Sequence, residues 1–203
     1  MRFFFKPTAF DNWGRPTSYQ QITDGQTYTS SYQYNHSGAL IAETYPSGRI
    51  VKNEFDSNGD VLRVWGTKGQ INQVFANGFR YTASGGISAM KLGNGKWETA
   101  KFNERLQVTE LGLGNSSTDA SAWKLQYEFG ELNSDGTTVD ATKNTGNIAK
   151  QTISFNGLSQ PFVQTYKYDS LYRLTEAKEK AGTVENWKQN FTYDRYGNRL
   201  THN

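Results

Sequence analysis

The chain has 203 residues, 22 basic against 19 acidic side chains, no cysteine and 35% hydrophobic residues, a share that rises to roughly 45% once its 20 glycines are counted. These values exclude a disulfide-stapled mini-protein, a thiolate nucleophile and any cysteine-based zinc or iron–sulfur site, and they suit one sizeable core or two small ones. The net charge of +3 is too small and too dispersed for a nucleic-acid footprint: even the pair Lys178 and Lys180 is interrupted by Glu176 and Glu179.

At the amino end, Phe3, Phe4 and Phe5 are followed by Lys6 and Pro7. A secretory leader needs an apolar run of roughly 7–15 residues, so no signal peptide is expected within these residues, and export would be encoded outside them. No stretch approaches the roughly 18–20 apolar residues of a membrane-spanning helix. Twelve Tyr, twelve Phe and five Trp make the chain 14% aromatic against only four Pro, a balance that favours pleated, half-covered surfaces. An all-β fold with little helix is expected.

The same short window recurs along the chain: an aromatic, a small polar residue, and Gly a few positions on. It reads Phe10-Asp11-Asn12-Trp13-Gly14-Arg15, then Tyr34-Asn35-His36-Ser37-Gly38, Phe55-Asp56-Ser57-Asn58-Gly59 and Tyr81-Thr82-Ala83-Ser84-Gly85. Phe102-Asn103-Glu104-Arg105-Leu106 drops the Gly, Tyr168-Asp169-Ser170-Leu171-Tyr172-Arg173 puts Tyr in its place, and Tyr193-Asp194-Arg195-Tyr196-Gly197-Asn198-Arg199 restores it. Successive anchors from 10 to 102 lie 24, 21, 26 and 21 residues apart, enough for two short strands and their turns. Residues 102 and 168 are separated by 66, room for two further units with relics at Tyr127–Gly130 and Asn144–Ile148. The polar stretch Leu132 to Asn147 between them reads as a long hairpin tip rather than a linker.

Each window has a turn chemistry. Asp or Asn at the first turn position accepts from backbone amides, and Gly suits the left-handed position that closes a type I turn into a hairpin. The aromatic ends one strand and the residues after the turn begin the next. Alternation supports this: Trp123, Leu125, Tyr127 and Phe129 take every second place, Tyr28, Ser30, Tyr32 and Tyr34 step likewise, and Trp187, Gln189, Phe191 and Tyr193 nearly do. One aromatic, covered face is expected, and Thr175 to Ala181 is expected as a turn or strand end. About eight or nine hairpins in a single segment, 1–203, follow.

These residues resemble the YD repeats of the Rhs family: Tyr-Asp followed by Gly-Asn-Arg-Leu at 193–200, Tyr-Asp with Tyr-Arg-Leu-Thr at 168–175, and Phe-Asp with Gly-Arg-Pro at 10–16. Stretches 81–95 and 102–113 also resemble linking segments of bacterial Rhs proteins. The resemblance implies consecutive antiparallel hairpins laid into one curved or spiralling sheet, an arc of a shell that encloses a toxin or another polypeptide, or that serves adhesion. It implies flanking repeats and an enclosed polypeptide as partners, and a secreted or cell-surface setting within a larger protein. In encapsulating members a segment after the repeats cleaves the chain by aspartate chemistry; nothing here matches it, so no enzyme activity and no cofactor are expected. The structural anchors are Phe10, Asp11, Gly14, Arg15, Phe55, Asp56, Gly59, Tyr168, Asp169, Arg173, Tyr193, Asp194, Gly197 and Arg199. An excised run of hairpins exposes unpaired sheet edges, so self-association through them is expected.

The remaining candidates compete with simpler explanations. Asp56, Asn58 and Asp60 supply the oxygen ligands of a partial calcium loop but lack the distal bidentate Glu, and the turn register accounts for all three. His36 and His202 are the two histidines, too few for a multi-histidine metal site, and His36 sits in a turn. Glu43, Glu54, Glu98, Glu104 and Glu110 offer no pair better than another for glycosidase chemistry. Trp13, Trp65, Trp97, Trp123 and Trp187 are spaced as a carbohydrate-binding array would place them, although filling the sheet's covered face is the simpler explanation. The recurrent Arg15, Arg49, Arg105, Arg173 and Arg199 are expected to pair with turn carboxylates.

Overall fold

The computed structural model describes residues 3–200. Strands β1 (Phe3–Phe10), β2 (Pro16–Thr23), β3 (Gln26–Tyr34), β4 (Leu40–Thr44), β5 (Ile50–Phe55), β6 (Val61–Lys68) and β7 (Ile71–Tyr81) come first. β8 (Ile87–Leu92), β9 (Trp97–Phe102), β10 (Val108–Gly114) and β11 (Trp123–Phe129) follow. The short β12 (Glu131–Leu132) and β13 (Val139–Asp140) precede a single 3₁₀ turn at Ala141–Lys143. The chain then continues through β14 (Ile148–Phe155), β15 (Phe162–Tyr168), β16 (Leu174–Ala181), β17 (Val184–Asn190), β18 (Thr192–Tyr193) and β19 (Arg199–Leu200).

Fifteen strands form one antiparallel sheet in chain order from β1 to β11 and on from β14 to β17; β12 pairs with β13, and β18 with β19. Apart from the step from β11 to β14, each strand of this sheet pairs with its neighbours in sequence, the outcome that short polar turns between alternating segments dictate. Contacts divide the chain into two compact units. One holds β1 to β7 with Met90–Gly95, and the other holds Gly85–Ala89 with everything from Lys96 onward.

Two turn types set the registers. Asp24 and Gly25 join β2 to β3 with φ of 48° and 79°, a two-residue turn whose left-handed dihedrals match strand twist. The anchored turns are wider, and those of the large sheet at Asp11, Asn35, Asp56, Asn103 and Asp169 leave a register shift in the ladder beside them, as between Gln33 and Tyr34 or Lys167 and Tyr168. Alternate turns of an antiparallel meander fall on the same side. Within each unit, therefore, the anchored turns share one edge of the sheet.

The interior departs from the expectation of a covered aromatic face. The buried apolar residues among those described are Ala42, Ala76, Ala89, Ala149 and Ala177, with Thr165 the buried polar residue, and no large side chain is fully buried. The accessible surface is 13425 Å², against roughly 9,600 Å² for a compact monomer of this mass. A single sheet has no second layer to cover its faces, so the aromatics pack flat against strand neighbours and stay half-exposed. Alanine becomes buried because longer side chains on adjacent strands close over it. The segment 175–181 is a full strand, held between β15 and β17. Among the described residues no helix is long and apolar enough to cross a membrane.

Candidate functional site along the turn edge

Each anchored turn is built by its first residue. The Asp11 N–H donates to the Arg15 carbonyl at 2.9 Å and the Gly14 N–H returns a bond to the Asp11 carbonyl at 3.0 Å. Asp11 Oδ1 accepts the amides of Trp13 and Arg15, while Oδ2 takes the Arg15 guanidinium at 2.6 Å. The same backbone pair recurs from Asn35, Asp56, Asn103, Asp169 and Asp194. The fourth position is left-handed in every case: Gly14, Gly38, Gly59 and Gly197 have φ of 77° to 89°, while Leu106 and Tyr172 are held at 61° without being glycine. The backbone amide of Arg173, then its side chain, holds the Asp169 carboxyl below its ordinary 3.8. Asp194 is lowered first by the Asn198 amide side chain.

The tyrosine before the turn has a separate task. Tyr34 donates its hydroxyl to Pro16 O (3.0 Å), Tyr81 to Val61 O (2.9 Å), Tyr168 to Ile148 O (2.9 Å) and Tyr193 to Leu174 O (2.7 Å). Each acceptor is the first residue after the preceding turn on that edge, 18 to 20 residues back. The ring thus reaches across the adjacent strand end and satisfies a carbonyl that lies beyond the last pair of the ladder on the tyrosine's side. Where the anchor is Phe55, the corresponding carbonyl, Leu40 O, accepts instead from the Asn53 side chain at 3.0 Å. Arginines tie neighbouring repeats from the other side: Arg15 lies 4.7 Å over the Tyr34 ring and Arg173 4.6 Å over Tyr193, each still bonded to its own turn aspartate. Arg199 lies over Phe191 rather than on a carboxylate, Asp194 being bonded to Asn198, and Arg105 donates to the Asn144 carbonyl.

The other candidates are absorbed locally. Asp56 Oδ1 accepts the amides of Asn58 and Asp60, the turn geometry of its repeat, and no cluster of three metal-ligating side chains occurs among the described residues. His36 packs edge-on against Trp13; His202 lies outside the described residues. Glu54 is committed to Arg63 and the Trp65 indole, Glu110 to Lys101 and Gln126, and Glu43 to Tyr45. Trp65 is flanked by Lys52 and Arg63, whereas Trp13 is 68% and Trp187 37% exposed.

One feature has no short sequence signal. Residues 130–147 leave β11, form the β12–β13 ladder and return to β14, bordering an open cleft of about 610 Å³ beside the β15–β16 turn. Gly130 permits the departure: a Cβ there would stand 2.3 Å from Asp140 O. The excursion is pinned by paired amide bonds between Asn144 and Gln107.

The serial hairpin sheet, with arginines and tyrosines of the turns reaching from repeat to repeat, is consistent with the curved YD-repeat sheet that the resemblance implies. Solved structures agree. The chain superposes on a Photorhabdus luminescens Tc holotoxin pore carrying a mutant TccC3 with a TM-score of 0.75 and 20% identity, over 97% of this chain and 11% of that one. On TcdB2–TccC3 without its hypervariable C-terminal region the TM-score is 0.64 at 17% identity, over 97% and 12%. On the TcdB2–TccC3 complex it is 0.61 at 18% identity, over 93% and 12%. The chain therefore spans about an eighth or less of these toxin-complex chains. No family model and no curated protein matches the sequence.

Proposed function

We propose that this chain is a non-catalytic wall segment of an Rhs/YD-repeat shell, within a larger secreted or surface protein, that encloses a toxin or other partner polypeptide. The superposition on toxin-complex chains along nearly the whole of this chain carries the reading. The turn edge supports it: the turn carboxylates are spent on closing their own turns, while the tyrosine hydroxyls and Arg15 and Arg173 reach the neighbouring repeat, as a wall requires. Stability then accumulates laterally from repeat to repeat without a covered core. Unpaired flanks at β1 and β17 are where adjoining repeats would add.

The test is the parent reading frame and its product. Further YD repeats on both sides, with a tail that resists protease until the repeats are unfolded, is the expected result. Start and stop codons at the ends of these 203 residues, or a tail digested as fast as a free peptide, would overturn the reading. A second reading, a surface adhesion or carbohydrate-binding array, is favoured by the exposure of Trp13 and Trp187. Acrylamide quenching of these two indoles, suppressed by added glycan, would support it.

A further inference from the structure

We propose that Asn156 is a site of spontaneous covalent modification: the backbone nitrogen of Gly157 closes on its side chain, and water opens the resulting imide to aspartate or isoaspartate. The site is independent of the wall reading, since its chemistry needs no partner beyond water. Four Asn-Gly pairs occur in the chain, at 58–59, 77–78, 94–95 and 156–157. Each offers the same reaction, because glycine has no Cβ to crowd its nitrogen. That nitrogen gives its proton to solvent base and attacks the asparagine Cγ. The N–Cγ bond forms, the side-chain nitrogen takes a proton from water and leaves as ammonia, and a five-membered imide remains. Water then adds to one of the two imide carbonyls, and the bond from that carbonyl to nitrogen breaks. Attack at Cγ restores the original backbone as aspartate, whereas attack at the main-chain carbonyl leaves isoaspartate.

The fold separates the four pairs. Ring closure turns the peptide plane between the two residues and uses its nitrogen, so a hydrogen bond held by that plane opposes it. The Gly59 N–H is bonded to Asp56 O at 3.2 Å and the Gly95 N–H to Leu92 O at 2.9 Å, bonds that close their turns. Asn77 and Gly78 lie within β7, with Asn77 half-buried and in register with Arg63. At 156–157 the plane is engaged at neither end. The Gly157 N–H, the Asn156 carbonyl and the Asn156 side chain make no hydrogen bond among the described residues. The bonds beside them belong to the adjoining planes: the Asn156 N–H donates to Ala122 O and the Leu158 N–H to Phe155 O, each at 3.1 Å. Both residues are exposed, and a Cβ placed on Gly157, left-handed at φ 91°, would meet nothing within 4 Å, so the approach to its nitrogen is open. The conversion changes the connection it sits in, because residues 156–161 carry no charged side chain and would gain their first carboxylate.

Peptide mapping by mass spectrometry after incubation of the 203-residue chain at mildly alkaline pH tests this, with electron-transfer fragmentation separating isoaspartate from aspartate. In the folded chain Asn156 is expected to convert about tenfold faster than Asn58, Asn77 or Asn94, the factor in rate that one retained hydrogen bond supplies. In guanidinium chloride no plane is held, and the four rates should converge to within about threefold. Conversion of any other pair as fast as Asn156 in the folded chain, an Asn156 that persists while the denatured chain converts, or a lead for Asn156 that is equally large in denaturant would each overturn the proposal.

Discussion

If the tyrosine of each anchored turn is there for its hydroxyl, Tyr168→Phe removes one bond and nothing else. The hydroxyl donates to Ile148 O at 2.9 Å, in a half-buried setting where burial also raises its pKa. A bond of this kind contributes about 0.5–1.5 kcal/mol net, and the upper half applies here because the carbonyl lies beyond the last pair of the ladder on the tyrosine's side, with no ladder partner there to replace the donor. A loss of about 1 kcal/mol, divided by a urea slope of roughly 2.5 kcal/mol/M, moves the midpoint down by about 0.4 M. Tyr28→Phe is the control: its ring is 47% exposed and its hydroxyl makes no bond among the described residues, so its cost stays below about 0.5 kcal/mol. Amide hydrogen exchange on β14 to β16 during urea unfolding reads the second unit by itself. Equal shifts for the two variants would refute the assignment of the hydroxyl as the reason for tyrosine at this position.

The same logic makes the phenylalanine repeat a test of compensation. Asn53→Ala strands Leu40 O and is expected to cost about 1 kcal/mol, and adding Phe55→Tyr restores most of it in a double-mutant cycle read by urea midpoint. Thr165 Oγ1 is buried without a partner, so Thr165→Val, equal in shape and suited to strands, raises stability by about 1 kcal/mol in thermal unfolding. Asp169 and Asp119 are held below the ordinary 3.8, Asp169 chiefly by the Arg173 amide and Asp119 chiefly by the Asn115 amide. The unfolded state then binds protons first, so their stabilisation is present above about pH 4 and is lost as pH falls through the depressed folded values. A urea midpoint that stayed level on acidification from about pH 5 to pH 2 would contradict this. Finally, light scattering should show concentration-dependent association through β1 and β17, every residue of β17 being exposed; a monomer at all concentrations would remove the open-edge argument.

Much of this architecture is legible in the sequence because the turns are local. Asp169 and Arg173, four residues apart, bond through contacts that need no tertiary context, so the motif and the loop coincide. Legibility fails where side chain and backbone part company. Tyr45-Pro46-Ser47-Gly48-Arg49 makes the same pair of backbone bonds as the anchored turns, with Tyr45 donating to Arg49 O at 2.8 Å, yet it has no aspartate to announce it. The aromatic alternation was misleading for a different reason. A period of two states that a sheet has two unlike faces and carries no information about whether either is covered. The cleft is harder still, since it depends on Gly130 approaching Asp140 and on Asn144 reaching Gln107, 37 residues away.

The absence of a large buried side chain among the described residues changes how this sheet must be stabilised. A domain with a core concentrates its stability in a few interdigitated residues, so enlarging it means rebuilding that core. Here the contributions lie, within each unit, along an edge of the sheet: a turn aspartate, its arginine and the next repeat's tyrosine form a unit that refers only to its neighbour, as Asp11–Arg15–Tyr34 and Asp169–Arg173–Tyr193 do with nearly the same spacing. Such a unit can be repeated without altering those already present. It also leaves the faces of the sheet without a second layer, so residues there are constrained by their strand neighbours alone. Deleting one stitch, for example by Arg173→Ala, should therefore loosen amide protection in β15 to β17 while leaving β2 to β4 unchanged, whereas a cooperative core would lose protection throughout.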